Sequence, residues 1–304
     1  MIISIIAIKI LPPIIITISA FCVFIDVVIL KYCMLISGMV KPARSTRKRL
    51  SIESFSKCNP ARKRRTRKCL PSDMYKAAES STTDMGDHAI IDIMAGISEN
   101  EKKELRKYYL RPRSPSAWKK NPNTWLDNFN IEDVMKQYSE KFPFFKFIGV
   151  FPIDFSAPNP YTKHHKTCLY PDLCNIKLKT EYENGTRCMG VIFNLDPHFK
   201  GGSHWVALYI DIHDIRRPWC GYFDSYGYAP PKLVSRLMKS FRLQIPSIKL
   251  MYNSRKFQYG GSECGMYSIY YIISMIHGVR FKNFCRHAVS DSFMTNLRSV
   301  LFSK

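Results

Sequence analysis

Gln258-Tyr-Gly-Gly-Ser-Glu-Cys264-Gly-Met-Tyr267 holds the residue types best suited to chemistry: a cysteine at the mouth of a long apolar run, with an amide side chain six residues upstream. Gly260 and Gly261 permit a sharp turn and close backbone approach that larger residues forbid. The run from Met266 to Ile276 is long enough to read as a buried helix rather than a strand. Cys264 then opens that helix, where unpaired backbone N–H groups and the positive end of the helix dipole favour thiolate, the reactive form, over thiol. A lone cysteine is more often buried and inert, so a nucleophile also requires a base.

His204-Trp-Val-Ala-Leu-Tyr-Ile-Asp211 and Trp219-Cys-Gly-Tyr-Phe-Asp224-Ser-Tyr-Gly227 are aromatic and β-branched runs of strand length, separated by the turn-like His213-Asp-Ile-Arg-Arg-Pro218. They are expected to pair as an antiparallel hairpin. With the loop centred near Asp214, His204 stands directly opposite Asp224, and opposed side chains share one face of a sheet with Cβ atoms roughly 4.5–5.5 Å apart. Local geometry alone thus joins an imidazole to a carboxylate.

These residues suffice for acyl transfer. Cys264 attacks a carbonyl carbon; His204 takes the thiol proton and later delivers it to the leaving amine. Asp224 holds the imidazole tautomer and stabilises its charged form. The side-chain amide of Gln258 and the backbone N–H of Cys264 are expected to donate to the developing oxyanion. Neither metal nor organic cofactor is required. His164, His165, Cys168 and Cys174 match no established zinc-ligand spacing, and no metal site is expected.

The order His204-Trp205, Phe223-Asp224-Ser225, then Gln258 and Ser262-Glu263-Cys264-Gly265 resembles the clan of thiol proteases that contains the SUMO proteases and the adenovirus endopeptidase. The nearest likeness is to the African swine fever virus type of polyprotein protease and its relatives in other large DNA viruses. The resemblance covers roughly residues 120 to 280. It implies an α+β fold, a small mixed sheet between helices with Cys264 at the start of the central helix. It also implies that Trp125 and Trp205 clamp a narrow substrate passage, selecting Gly-Gly-Xaa sites. Trp125 opens a segment read as an amphipathic helix, with Phe129, Val134 and Tyr138 on or near one face. The expected task is cleavage of viral structural precursors during particle maturation, by a monomer in the host cytoplasm and virion. The alternatives are an isopeptidase acting on ubiquitin-like conjugates, an acetyltransferase using the same triad, and a catalytically idle assembly module.

Around this domain, assigned to residues 119–304, the composition changes. Residues 1–38 are dominated by Ile, Val, Leu and Phe, and Ile10 to Leu30 has the roughly 20 residues needed to span a bilayer; a membrane anchor is expected there, although Pro12-Pro13 and Asp26 weaken it. Residues 39–118 read as a linker and small extension. Within them Lys41 to Lys68 is strongly basic and contributes much of the excess of 46 Lys+Arg over 24 Asp+Glu. Such a run is expected to be disordered and unpacked, and suited to nucleic acid through counterion release or to an anionic membrane surface. The ten cysteines are irregularly spaced in a chain whose nucleophile must stay reduced, which argues against a disulfide framework.

Overall fold

The computed structural model describes residues 49–303 apart from 63–67, 79–85, 122, 161 and 163–166. The hydrophobic segment 1–38, expected to anchor the chain in a membrane, lies outside the described residues. Among those described, no helix is long and apolar enough to cross a membrane.

In chain order the helices are α1 (Ser72–Ala78), α2 (Asp87–Ile93), α3 (Glu99–Tyr109), α4 (Asn128–Lys141), α5 (Pro171–Cys174), α6 (Leu178–Glu183), α7 (Lys232–Gln244), α8 (Cys264–Ile276), α9 (Phe281–Arg286) and α10 (Asp291–Leu301). The strands are β1 (Phe145–Pro152), β2 (Cys188–Asn194), β3 (Trp205–Asp211), β4 (Trp219–Phe223) and β5 (Lys249–Tyr252). They form one mixed sheet in sequence order. β1 runs parallel to β2, β2 to β4 are an antiparallel meander, and β5 runs parallel to β4. The expected α+β class, a small mixed sheet between helices, is what the chain forms.

Period-two alternation decides which residues meet which helix layer. Trp205, Ala207 and Tyr209 of β3 join the core formed with α4, α8 and α10, whereas Val206, Leu208 and Ile210 join the one formed with α7. α8 is apolar almost all round, and every residue from Cys264 to Ile276 is buried, as expected of a helix enclosed on all sides. α4 is amphipathic. Asp127 caps it by accepting from Asn130 N–H at 2.8 Å, and the Asn130 side chain accepts from Asp127 N–H at 3.1 Å. Its buried stripe is Ile131, Val134, Met135 and Tyr138. Phe129, expected near that face, is 68% exposed, because it lies two residues from Ile131 and is therefore rotated by roughly 200° about the helix axis.

The basic segment departs most from expectation. Lys41 to Lys68 was expected to stay unpacked; residues 41–48 and 63–67 lie outside the described residues, but between them Leu50, Phe55 and Ala61 are buried in the same core as α8. Tyr270 of α8 donates its hydroxyl to Leu50 C=O at 2.9 Å, and Tyr138 of α4 donates to Pro60 C=O at 3.2 Å. A third, small core joins Leu70, Ile90, Ile91 and Leu110, with α1 to α3 around it. Gln137 of α4 ties this layer down through its amide, which donates to Lys107 and Leu110 carbonyls at 2.8 and 2.6 Å. The boundary read at residue 118 thus has no counterpart in the packing. Charge density concealed the few apolar residues interspersed in the run, and these decide where it goes.

The cysteine reading is corrected as well. Disulfides join Cys58 to Cys69, with Cα atoms 5.3 Å apart, and Cys168 to Cys174, with Cα atoms 6.5 Å apart. Cys188, Cys220, Cys264 and Cys285 are free. Pairing is governed by Cα separation in the fold, which irregular spacing in sequence does not reveal. Cys168 and Cys174 are therefore not open to a metal. His164 and His165 lie outside the described residues.

Because Leu50 is buried to 1% exposure, Leu50→Ala is expected to cost about 2–5 kcal/mol, and removal of all residues before 70 to cost more. The midpoint of urea unfolding reads both. An unchanged midpoint on truncation would mean that the segment is a passenger.

Candidate active site

The site lies at one edge of the sheet, where β2, β4 and β5 end and β3 begins. His204 is the residue before β3 and Asp224 the residue after β4. Ala207 pairs with Phe223 and Leu208 with Tyr222, so the loop is centred on Ile215, one residue beyond Asp214. By this register His204 and Asp224 are offset by two residues instead of standing directly opposite. An even offset leaves both side chains on one face, and His204 Nε2 meets Asp224 Oδ1 at 2.7 Å.

Asp224 is held through Oδ1 and its backbone, while Oδ2 is buried without a hydrogen-bond partner. Its Oδ1 also accepts from Tyr226 N–H at 2.8 Å. Asn253, buried just past β5, accepts from Asp224 N–H and donates to Asp224 C=O, both at 2.8 Å. Asp224 is 1% exposed. A buried carboxylate at an imidazole nitrogen stabilises the imidazolium by charge-assisted hydrogen bonding. Burial alone would push the His204 pKa down. The hydrogen bonds to Asp224 and Cys264, with the negative charges of both, outweigh it and bring the pKa up to about 9. Nε2 is taken by Asp224, leaving Nδ1 as the nitrogen for Cys264. Tyr226 stacks on the imidazole, with ring centroids 4.8 Å apart and planes 25° from parallel.

Cys264 begins α8 and is 2% exposed. A β-carbon on Gly265 would lie 3.2–3.3 Å from side-chain atoms of Leu126 and Trp205, so a larger residue would push them back by a few tenths of an ångström from the turn that holds Cys264. Trp205 is itself nearly buried and donates its indole N–H to Leu126 C=O at 3.0 Å. Trp125 is 41% exposed. Both tryptophans line a cleft of about 400 Å³, together with Tyr170, Asn194, His198 and the Gly201-Gly202 turn. The two residues expected to form a clamp are therefore brought to one cleft, with Trp205 packed beside Cys264.

Gln258 is fully buried and orientated. Ser225, next to Asp224, donates its hydroxyl to Gln258 Oε1 at 2.7 Å, which turns the amide N–H₂ the other way; it donates to Gly260 C=O at 2.9 Å. Phe257 and Gln258 N–H groups both donate to Ser225 C=O, at 2.7 and 2.9 Å. Asp291 of α10 accepts from Tyr259 and Gly260 N–H at 2.9 and 2.7 Å and from Tyr267 O–H at 2.9 Å. Arg298 of α10 donates to Thr124 C=O at 2.8 Å and Ser262 C=O at 2.7 Å, joining the strand of chain before Trp125 to the turn before Cys264.

Sequence reasoning missed Ser225, Tyr226, Asn253, Asp291 and Arg298. Adjacency to Asp224 was an available signal for the first two. Asn253, Asp291 and Arg298 reach the site only through the fold. Among the described residues no cluster of His, Cys, Asp or Glu could hold a metal ion.

The chain is 32% identical over 186 residues to a protein of Acanthamoeba polyphaga mimivirus that bears the name of a thiol protease, covering 59% of this chain and 56% of that one. It is 27% identical over 211 residues to the SUMO-1 cysteine protease of African swine fever virus, covering 64% of this chain and 73% of that one. This chain is a homologue of viral cysteine proteases. It spans little more than half the length of the mimivirus relative. The crystal structure of the African swine fever virus protease has the same fold, with a TM-score of 0.66 at 19% identity over 84% of this chain and 98% of that one. No protein-family model matches the chain. The fold and family that the His204, Asp224 and Cys264 order implied are thus those of its homologues.

The His204–Asp224 pair predicts a pH dependence of stability. Folding raises the His204 pKa from 6.5 to about 9, so its contribution is complete below about pH 6.5 and is lost as pH rises through about 9. The stability gap between the natural protein and Asp224→Asn is expected to be widest near pH 6 and to narrow by pH 10 in urea titrations. A gap that widens with pH would show that the imidazole is not charged in the folded state.

Proposed function

We propose that the chain is a cysteine endopeptidase that cleaves viral structural precursors at Gly-Gly-Xaa sites during particle maturation, in the host cytoplasm and in the virion. The observation that carries this reading is the His204–Asp224 hydrogen bond of 2.7 Å beside a Cys264 that opens a buried helix. Thiol and imidazole form a thiolate–imidazolium pair, and the raised His204 pKa favours the charged partner.

In this mechanism Cys264 Sγ forms a bond to the substrate carbonyl carbon. The oxygen develops negative charge against Cys264 N–H and the Gln258 amide. That amide leaves its Gly260 contact or uses its second hydrogen, a rearrangement of a kind that apo sites commonly make. On collapse the C–N bond breaks, and the His204 imidazolium gives its proton to the departing amine. Water then attacks the thioester with His204 as base, releasing the acid and restoring the thiol. Asp224 keeps the imidazole orientated throughout.

Glycine selectivity is supported by burial. Cys264 is 2% exposed, with Trp205 packed beside it and Trp125 lining the same cleft. A chain that reaches such a sulfur must be thin, and Gly-Gly offers the narrowest backbone. The excess positive charge of Lys41 to Lys68 supports association with nucleic acid or an anionic surface.

Cys264→Ala is expected to abolish hydrolysis of a peptide carrying Gly-Gly-Xaa and leave the urea midpoint nearly unchanged; retained activity would overturn the assignment of the nucleophile. Gln258→Ala is expected to lower kcat by about 10²–10³. Ser225→Ala, which only frees the amide to turn, is expected to lower kcat by about tenfold with little change in KM. The substrate class is tested by N-terminal sequencing of products made from virion precursor proteins. Release of intact ubiquitin-like proteins from lysine side chains, with precursors untouched, would favour an isopeptidase instead.

A further inference from the structure

His204 has a second neighbourhood, on the side away from the tryptophan cleft's lining. Tyr226 stacks on its ring, Tyr228 lies 6.2 Å from Tyr226 between ring centroids, and the Lys256 ammonium sits 5.6 Å from the Tyr226 ring and 4.9 Å from the Tyr259 ring. Tyr228 is 70% and Tyr259 77% exposed. Large aromatic side chains so exposed, gathered around one cation, are a surface that water covers poorly. None of the four lines the cleft of Trp125 and Trp205.

Chemistry says what meets this surface. A general acid must stand next to the atom it protonates, so the leaving amine departs past His204, and the residues attached to that amine pass over whatever flanks the imidazole. The acyl half of the substrate is placed by the tryptophan cleft; the other half meets the tyrosines. We infer that Tyr226, Tyr228, Tyr259 and Lys256 form the subsite for the leaving-side segment of the substrate and select a carboxylate within its first few residues. This rests on the endopeptidase reading.

The exposed cation set over the cluster's rings is Lys256, and it is the feature that points to an anion. Lys256 is exposed and, among the described residues, no carboxylate is paired with it. The two nearby acids keep their charge but are tied to donors of the chain and not to Lys256: Asp291 accepts from Tyr259 and Gly260 N–H, and Glu263 accepts from the Ser262 hydroxyl at 2.6 Å. Burial, and then the negative charges of Cys264, Asp224, Asp291 and Glu263, push the Tyr226 hydroxyl pKa up, so it remains a donor, to Gly260 C=O at 3.2 Å. The ring faces give the stem of an acidic side chain an apolar wall, and the ammonium takes its charge.

The test compares kcat/KM of the full chain on three fluorogenic peptides with one Gly-Gly acyl side and leaving segments that are acidic, neutral or basic. Each is normalised to hydrolysis of the same acyl peptide on aminocoumarin, whose leaving group has no peptide segment. The acidic peptide is expected to be preferred over the basic one by about fivefold at low salt, with the preference shrinking at 0.5 M salt as screening grows. Lys256→Glu is expected to reverse the order, and Tyr228→Ala with Tyr259→Ala to weaken all three peptides relative to aminocoumarin. Equal rates on the three peptides, with aminocoumarin cleaved, would overturn the inference and leave the endopeptidase reading standing. Failure to cleave aminocoumarin or any of the peptides would overturn that reading itself.

Discussion

Everything at the site depends on the enclosure of α8. A helix buried on all sides cannot slide or roll without opening voids in close-packed surroundings, so the position of its first residue is as rigid as the core itself. Cys264 inherits that rigidity from Tyr267, Tyr270 and Tyr271, whose rings fill the core and whose hydroxyls each find a fixed acceptor, at Asp291, Leu50 C=O and Gly221 C=O. Three phenols buried in one helix would be costly without those acceptors. With them they serve as bolts to three different parts of the chain.

Against this rigid nucleophile the sheet edge presents a polar network with little slack. Asn253 holds both backbone groups of Asp224, Ser225 holds the Gln258 amide, and the Ser225 carbonyl takes two N–H groups from the Gln258 segment. Asp224 and Gln258 are thus anchored through adjacent residues of one turn. Gly227 completes it at φ +82, where a β-carbon would lie 2.8 Å from the Arg255 backbone. Preorganisation of this kind is what lets hydrogen-bond donors stabilise charge as it develops, with no reorganisation at the moment of reaction.

The N-terminal segment and α10 extend the same logic outward. Leu50 receives the Tyr270 hydroxyl, and Arg298 bridges the chain before Trp125 to the turn before Cys264. Burial disfavours the charge of Arg298, and Glu263 and Cys264 support it. The tryptophan cleft and the nucleophile are consequently tied through one guanidinium, and the basic segment is tied to the back of the nucleophile's helix. Elements remote in sequence therefore share in setting one short distance.

Read alone, the sequence was enough for the helix that Cys264 opens, the hairpin and the His–Asp pair, because each is a local pattern: an apolar run, a two-residue alternation, a turn between strands. It was enough as well for the mixed α+β class and for the kinship with viral thiol proteases, through the order and spacing of His204, Asp224, Gln258 and Cys264. Local patterns do not count residues in a loop exactly enough to fix a register, so the hairpin came out two residues offset, with parity preserved. Tertiary structure alone decided what depends on distances between remote segments: the acceptors of α8, the bridging by Asn253, Asp291 and Arg298, and the pairing of Cys58 with Cys69. It also decided where residues 49–62 of the basic run go, since Leu50, Phe55 and Ala61 weigh little in composition but find a core to enter once α4 and α8 have built one.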